Sequence, residues 1–433
     1  MPRYRDLFRT PEFTPLFLVG AAQVAAQTVS GLGLATLVFR ATHSPLLSAL
    51  AMFGPALAQL VGATTLLSAA DRLAPRAALA AVALVFAAGT AAQAVPGLPV
   101  GAVFAILFVQ GLVGSVGGGV RYGLLTEILP RERYLIGRSV FNMAVGVCQI
   151  AGFATGGLLL ALLSPRGTLL IGAALHLAAA LLARGGLSRR APRTAGRASA
   201  AETWRTNARL WSSRPRRLVY LALWVPNGLI VGCESLFVPY APERAGVLFA
   251  CAALGMLAGD VAIGRFVPAR WRGRLAAPLQ ALLAAPYLVF VLDPGLSLAL
   301  VAITVSAVGY SASLLYQERL TAQVPDELSG HALGLHASGM LALQGLSAAL
   351  AGGLAQLTSP RTAMALLAVA SLTVTLALAA AARGNGGERG GQTQRVRKSE
   401  QKQKGPGPDI LCESQTLVFE RAVRDRKPHD ATW

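Results

Sequence analysis

Residues 217–240 read "RLVYLALWVPNGLIVGCESLFVPY", an apolar run of 24 residues that holds a single carboxylate, Glu234. As a helix rising about 1.5 Å per residue, such a run reaches across a hydrocarbon core of about 30 Å. The composition of the whole chain points the same way. Its 433 residues are 54% hydrophobic and only 14% charged, and the mean hydropathy is positive. An ordinary water-soluble core cannot hide that much apolar surface, so lipid is the natural solvent.

Similar runs recur. Twelve are read, at approximately 15–38, 45–69, 77–95, 98–120, 135–163, 166–183, 217–240, 245–264, 275–292, 296–316, 330–357 and 361–382. Leu and Ala dominate them, and the alternating strands of about ten residues that a membrane barrel needs do not occur. Helices are then the way to satisfy the backbone in lipid. The expected fold class is an all-α integral membrane protein with twelve transmembrane helices. The first run is too long for a signal-peptide core and leads straight into further spans, so it is expected to stay as an anchor.

Charge sets the orientation. Arginines fall in "MPRYRDLFR", "DRLAPR", "PRERYLIGR", the stretch from Arg184 to Arg217, and "GRFVPARWRGR", which are the N-terminus and every second loop. Alternate loops such as "QAVPGLP" and "LDPG" carry at most an isolated Arg. The positive-inside rule places the N-terminus, the central linker and the C-terminus in the cytoplasm of a multi-pass plasma-membrane protein. The net charge of +19 then reads as topology and contact with anionic lipid. No stacking-aromatic or recognition-helix pattern accompanies it, so nucleic acid is not an expected partner.

The long basic stretch 185–216 divides the spans six and six. The expected layout is an N-terminal half at 1–184, a cytoplasmic linker at 185–216, a C-terminal half at 217–382 and a disordered cytoplasmic tail at 383–433. The tail differs in composition, for no lysine precedes Lys398, and its Gly, Gln, Arg and Glu cannot build a core. The halves resemble each other. "ILPRERYLIG" precedes span 5, Gly156-Gly157 lies within it and Ser164-Pro165-Arg166 closes it; "QVPDELSGHALG", Gly352-Gly353 and Ser359-Pro360-Arg361 stand in the same order around span 11. "DRLAPR" after span 2 likewise matches "GRFVPAR" after span 8. Duplicated halves suit a central site exposed by rocking one half against the other.

With these residues in view, the chain resembles the major facilitator superfamily, whose loop signature after span 2 is approximately G-x-x-x-D-R-x-G-R-R. Here the run is "LSAADRLAPR", in which Asp71, Arg72 and Arg76 match, while Leu67 and Ala74 replace glycines. "GFATGG" at 152–157 is similar to the G-P-x-x-G-G motif of proton-coupled exporters, with Phe153 for the proline. "LFVQG" at 107–111 keeps Gln110 and Gly111 of the exporters' span 4 motif and places Leu107 where that motif has arginine. The resemblance implies alternating access, a cytoplasmic gate formed by Asp71, Arg72 and Arg76, a cavity lined by spans 1, 4, 7 and 10, and a monomer. Arg121, Arg131, Glu132 and Arg133 read as a solvated loop at the end of span 4.

An ionised carboxylate inside the membrane costs about 2.5–3.5 kcal/mol even on mild insertion scales, so Glu234 should face a water-filled cavity, find a partner or carry a proton. It either takes part in coupling or substrate binding, or snorkels or pairs with Arg40 or Arg244 near the outer interface. Spans 1, 4, 7 and 10 also supply Gln23, Gln27, Gln110, Asn227 and Tyr310 as cavity candidates. Asp260, one turn before Arg265, is expected to pair locally with it or with the linker arginines. His176, His331 and His336 lack Cys or carboxylate companions at metal spacing, so neither a metal site nor a cofactor is expected. Cys148, Cys233, Cys251 and Cys412 imply no disulfide framework.

The expected function is secondary transport by alternating access: proton-coupled export of small, partly apolar organic compounds, with Glu234 as proton carrier and no enzymatic step. An importer or uniporter of the same superfamily is the alternative. From other classes come a membrane-embedded enzyme of lipid or cell-wall precursors and a sensor that does not transport. The first of these lacks the clustered His, Asp, Cys or Lys at a membrane face that its chemistry needs.

Overall fold

The computed structural model describes residues 7–65, 73–192 and 200–403. All regular structure among them is helical, and twelve helices are long and apolar enough to cross a membrane. They are α1 (Phe13–Thr42), α2 (Pro45–Thr65), α3 (Pro75–Gln93), α4 (Val100–Ile128), α5 (Arg131–Leu162) and α6 (Pro165–Gly186). A linker helix, Ala200–Ser212, follows. The second set is α7 (Arg214–Tyr240), α8 (Ala245–Phe266), α9 (Arg270–Leu292), α10 (Leu296–Thr321), α11 (Asp326–Leu357) and α12 (Pro360–Ala382). The protein is thus an all-α integral membrane protein of twelve transmembrane helices in two pseudo-symmetric halves.

The repeated sequence marks are repeated helix starts. Pro165 and Pro360 open α6 and α12, where a missing N–H costs nothing. Before each, a serine caps the helix: Ser164 Oγ accepts from Gly167 N at 3.1 Å, and Ser359 Oγ accepts from Thr362 N at 3.1 Å. The capping hydroxyl satisfies one of the free N–H groups at the helix start. Pro130 and Pro325 precede α5 and α11, and those two helices have equal length, 32 residues each.

Packing repeats with the sequence. In the N-terminal half α1 packs on α5 and α6, and α2 on α4; in the C-terminal half α7 packs on α11, and α8 on α10. The halves meet through two equivalent pairs, α2 with α11 and α5 with α8. Both pairs close at the end of the bundle where α1 leads into α2. There Gly157 of α5 meets Gly246 of α8 so closely that a Cβ on Gly157 would lie 2.6 Å from the Gly246 Cα. Gln356 of α11 also donates to Ser44 Oγ, just before α2, at 3.0 Å. Leu32 and Ala35 of α1 are buried in one cluster with Phe237, Leu248 and Phe249 of the other half.

Helix also occurs outside the twelve spans. The linker holds an ordered helix, whose Trp211 stacks on Trp224 of α7 with ring centroids 5.5 Å apart, and whose Asn207 Oδ1 lies 2.7 Å from His331 Nε2 of α11. The helix begun at Pro360 continues to Gln403, so residues 383–403 are drawn as helix where a disordered tail is expected. Contacts divide the chain at Ala379, and the part from Ala380 onward forms a unit of its own.

Candidate functional site

In α7, Pro226 has no N–H to give the carbonyl of Ala222, and a proline inside a helix leaves that acceptor open. Gln280 of α9 supplies the missing donor from its Nε2. Beside the proline, Asn227 Nδ2 donates to Ser313 Oγ of α10 at 2.8 Å and to the Leu223 carbonyl at 3.0 Å. Two turns on, Glu234 Oε1 accepts from the Tyr310 hydroxyl at 3.0 Å. Two polar bonds thus tie α10 to a proline-weakened α7, one beside the proline and one two turns beyond it.

Glu234 is part-buried and Tyr310 is buried. Neither Arg40 nor Arg244 forms an ion pair with Glu234 among the described residues. Its partner is a hydroxyl, which bonds a carboxyl group in either protonation state: the phenol can donate to a carboxylate or accept from a carboxylic acid. A fixed cation would favour the ionised state alone. This geometry therefore allows a proton to be gained and lost without dismantling the contact.

The second feature is a cavity of about 290 Å³. Its polar wall comprises Gln23 and Gln27 of α1, Gln59 of α2, and Ser115, Arg121 and Tyr122 of α4. Phe86 of α3 and Leu341 of α11 add apolar surface, so both halves contribute. Small, mostly apolar cavities with a few convergent polar groups are the usual form of organic ligand sites.

The expected cavity set therefore divides. Gln23 and Gln27 line the cavity, whereas Asn227, Glu234 and Tyr310 belong to the α7–α10 contact. Gln110 does neither, because its Nε2 donates to the Phe86 carbonyl at 3.2 Å and to Thr90 Oγ1 at 3.3 Å, while its Oε1 accepts from Gln93 Nε2 at 3.3 Å. An amide whose groups are spent on α3 is a clamp between α3 and α4. Among the expected gate residues, Asp71 and Arg72 lie outside the described residues, and Arg76 stands part-buried in the first turn of α3. Asp260 forms no ion pair with Arg265; five residues apart at about 100° each, the two point to different sides of α8.

Arg121 is the residue that sequence reasoning misplaced. Ending span 4 near residue 120 put it in a solvated loop, but α4 runs on to Ile128. Arg121 then falls on the same helix face as Gly114, Gly117 and Gly118, all of which line the cavity. The spacing of those glycines at three and four residues before it was the available signal.

Comparison with known proteins agrees with this architecture. The family model described as the Major Facilitator Superfamily matches residues 16–317. No curated protein matches the sequence. Among solved structures, a POT family transporter in complex with a thioalcohol-conjugated peptide is similar at 13% identity and a TM-score of 0.66, with 86% of this chain and 96% of that one covered. A bacterial homolog of the human lysosomal transporter Spinster, inward-facing and unoccupied, gives 14% identity and a TM-score of 0.62, covering 88% and 96%. The nucleoside transporter NupG gives 13% and 0.65, covering 85% and 99%. At such identities the likeness shows the fold, and the family match over most of the chain shows the kinship. Twelve spans in duplicated halves, the cavity walled by both of them, and that match establish that the chain belongs to the Major Facilitator Superfamily of transporters.

Proposed function

We propose that this transporter exports small, partly apolar organic compounds across the plasma membrane by alternating access, driven by the proton gradient. The observation that carries the coupling is Glu234, an acid within a spanning helix whose described partner is the Tyr310 hydroxyl and not a cation. An acid held this way can load a proton from one side and release it to the other when the halves move.

Support for export comes from the "GFATGG" stretch, whose last glycine packs directly on Gly246 at the contact between halves. With both termini in the cytoplasm, as the arginine distribution favours, the α2–α11 and α5–α8 contacts close the outer side. The cavity is then held for a compound arriving from within. Asp71, Arg72 and Arg76 would act as the opposing cytoplasmic gate, and one chain carries the whole pathway.

Reconstitution in vesicles tests the reading. With Glu234→Gln, gradient-driven accumulation is expected to disappear while substrate exchange without a gradient persists. Unchanged gradient-driven flux in that variant overturns the coupling role, and accumulation only in the opposite direction overturns export.

A further inference from the structure

The cavity contains a cation that no described acid neutralises. The Arg121 side chain crosses from α4 toward α1, where a Cβ on Gly20 would sit 3.5 Å from its Nη1 and 3.6 Å from its Cδ. Its guanidinium carbon lies 5.5 Å from the centre of the Tyr122 ring. Its Nε is buried without a hydrogen-bond partner. Of the acids at the start of α1 and in α4, Glu12 and Glu127 both bind Arg190, at 3.2 Å and 3.0 Å. Among the described residues no carboxylate pairs with Arg121.

A cation in a site of low dielectric is costly when it lacks a counter-charge. Its planar fork of donors matches a carboxylate in a two-point contact. Around it stand neutral amides, Gln23, Gln27 and Gln59, which can bond further polar atoms, while Phe86 and Leu341 offer apolar contact. A ligand that answers all of these features has an apolar body and an anionic end.

We propose that Arg121 anchors the carboxylate of the transported compound, so that the substrates are small amphipathic organic acids. This rests on the transport reading above and narrows it. The acid group lies against α4 and α1, and the apolar body extends toward Phe86 and Leu341.

The test uses matched pairs of probes: phenylacetate with phenylacetamide, and hexanoate with hexanamide. Thermal unfolding of the full-length purified protein is followed with each. Both carboxylates are expected to raise the unfolding temperature of the unaltered protein and both amides to leave it unchanged. Arg121→Gln should bind the carboxylates at least tenfold more weakly, with Arg121→Lys between the two. A measurement that needs no variant is the rate at which phenylglyoxal modifies Arg121, read by mass spectrometry of its peptide. Carboxylates should slow it severalfold, and amides should not. The proposal is overturned if neither carboxylate binds, if the amides bind as well as the acids, or if the rate at Arg121 ignores both. Flux through vesicles separates this from the transport reading: binding at Arg121 with no flux sinks transport and leaves the site. Flux of the carboxylates that is unaltered in Arg121→Gln sinks the site and leaves transport.

Discussion

The Tyr310 hydroxyl donates a hydrogen bond to Glu234 Oε1 over 3.0 Å, joining α10 to the only acid of α7. A hydrogen bond to a charged group contributes about 1.5–3 kcal/mol. If Glu234 carries the coupling proton, Tyr310 holds it in place without fixing its charge. Tyr310→Phe removes the hydroxyl and keeps the ring, so the fold should survive. Gradient-driven flux is expected to fall about tenfold, which corresponds to about 1.4 kcal/mol, and initial rates in vesicles measure it. A variant that transports normally would show the hydroxyl to be a packing partner only.

At the other contact that matters for motion, Gly157 and Gly246 leave no room for a side chain. Gly157→Val must push α5 and α8 apart, and overfilling a packed contact costs about 1–3 kcal/mol. Because that contact closes one end of the bundle, the strain should favour the arrangement in which the end is open. The expected outcome is a lower unfolding temperature together with a flux reduced by tenfold or more. Gly353, beside which nothing lies within 4 Å of an added Cβ, is the control. Gly353→Ala should leave flux unchanged.

The fold was legible because bilayer thickness reduces it almost to one variable. A run of about twenty apolar residues is a span, whatever its neighbours do. Ser164-Pro165 and Ser359-Pro360 were legible as matching marks at the ends of spans 5 and 11, and their role as caps of the helices that follow came with the structure. Glu234 stood out because an acid is rare in such a run. Tyr310 is among the span 10 candidates, but its pairing with Glu234 was not legible, for the two lie 76 residues apart and only the packing of α7 on α10 brings them together. Arg121 was hidden by a boundary error of eight residues in α4, which ends at Ile128 and not near residue 120. Hydropathy fades where a helix begins to line water, so a cavity wall reads as a loop.

The hydrogen bond from Gln356 to Ser44 ties the C-terminal half to the N-terminal half at 3.0 Å. One neutral hydrogen bond contributes about 0.5–1.5 kcal/mol. Gln356→Ala should therefore shift the balance between the two openings by roughly 2- to 12-fold, because it removes a contact made in one state only. A cysteine introduced at Leu46, which packs against Gly352, reports the change. Its rate of maleimide labelling should rise by that factor in the Gln356→Ala background. An unaltered rate would mean that the bond forms in both states.

Gln110 and Gln23 look alike in the sequence, as buried glutamines in spans expected to line a cavity, yet their surroundings give them different tasks. Gln110 links α3 to α4 through Phe86, Thr90 and Gln93, while Gln23 borders the cavity. Gln110→Leu leaves Gln93 Nε2 and Thr90 Oγ1 each short of a partner, at a cost of about 1–3 kcal/mol for a buried group left unpaired. Its expected effect is a lower unfolding temperature with an unchanged KM for the transported compound. Gln23→Leu should do the reverse, raising KM severalfold at nearly constant stability, because the amide it loses borders the cavity. Measuring both quantities for both variants decides the matter. A raised KM in Gln110→Leu would return that residue to the cavity, and an unchanged KM in Gln23→Leu would remove the other from it.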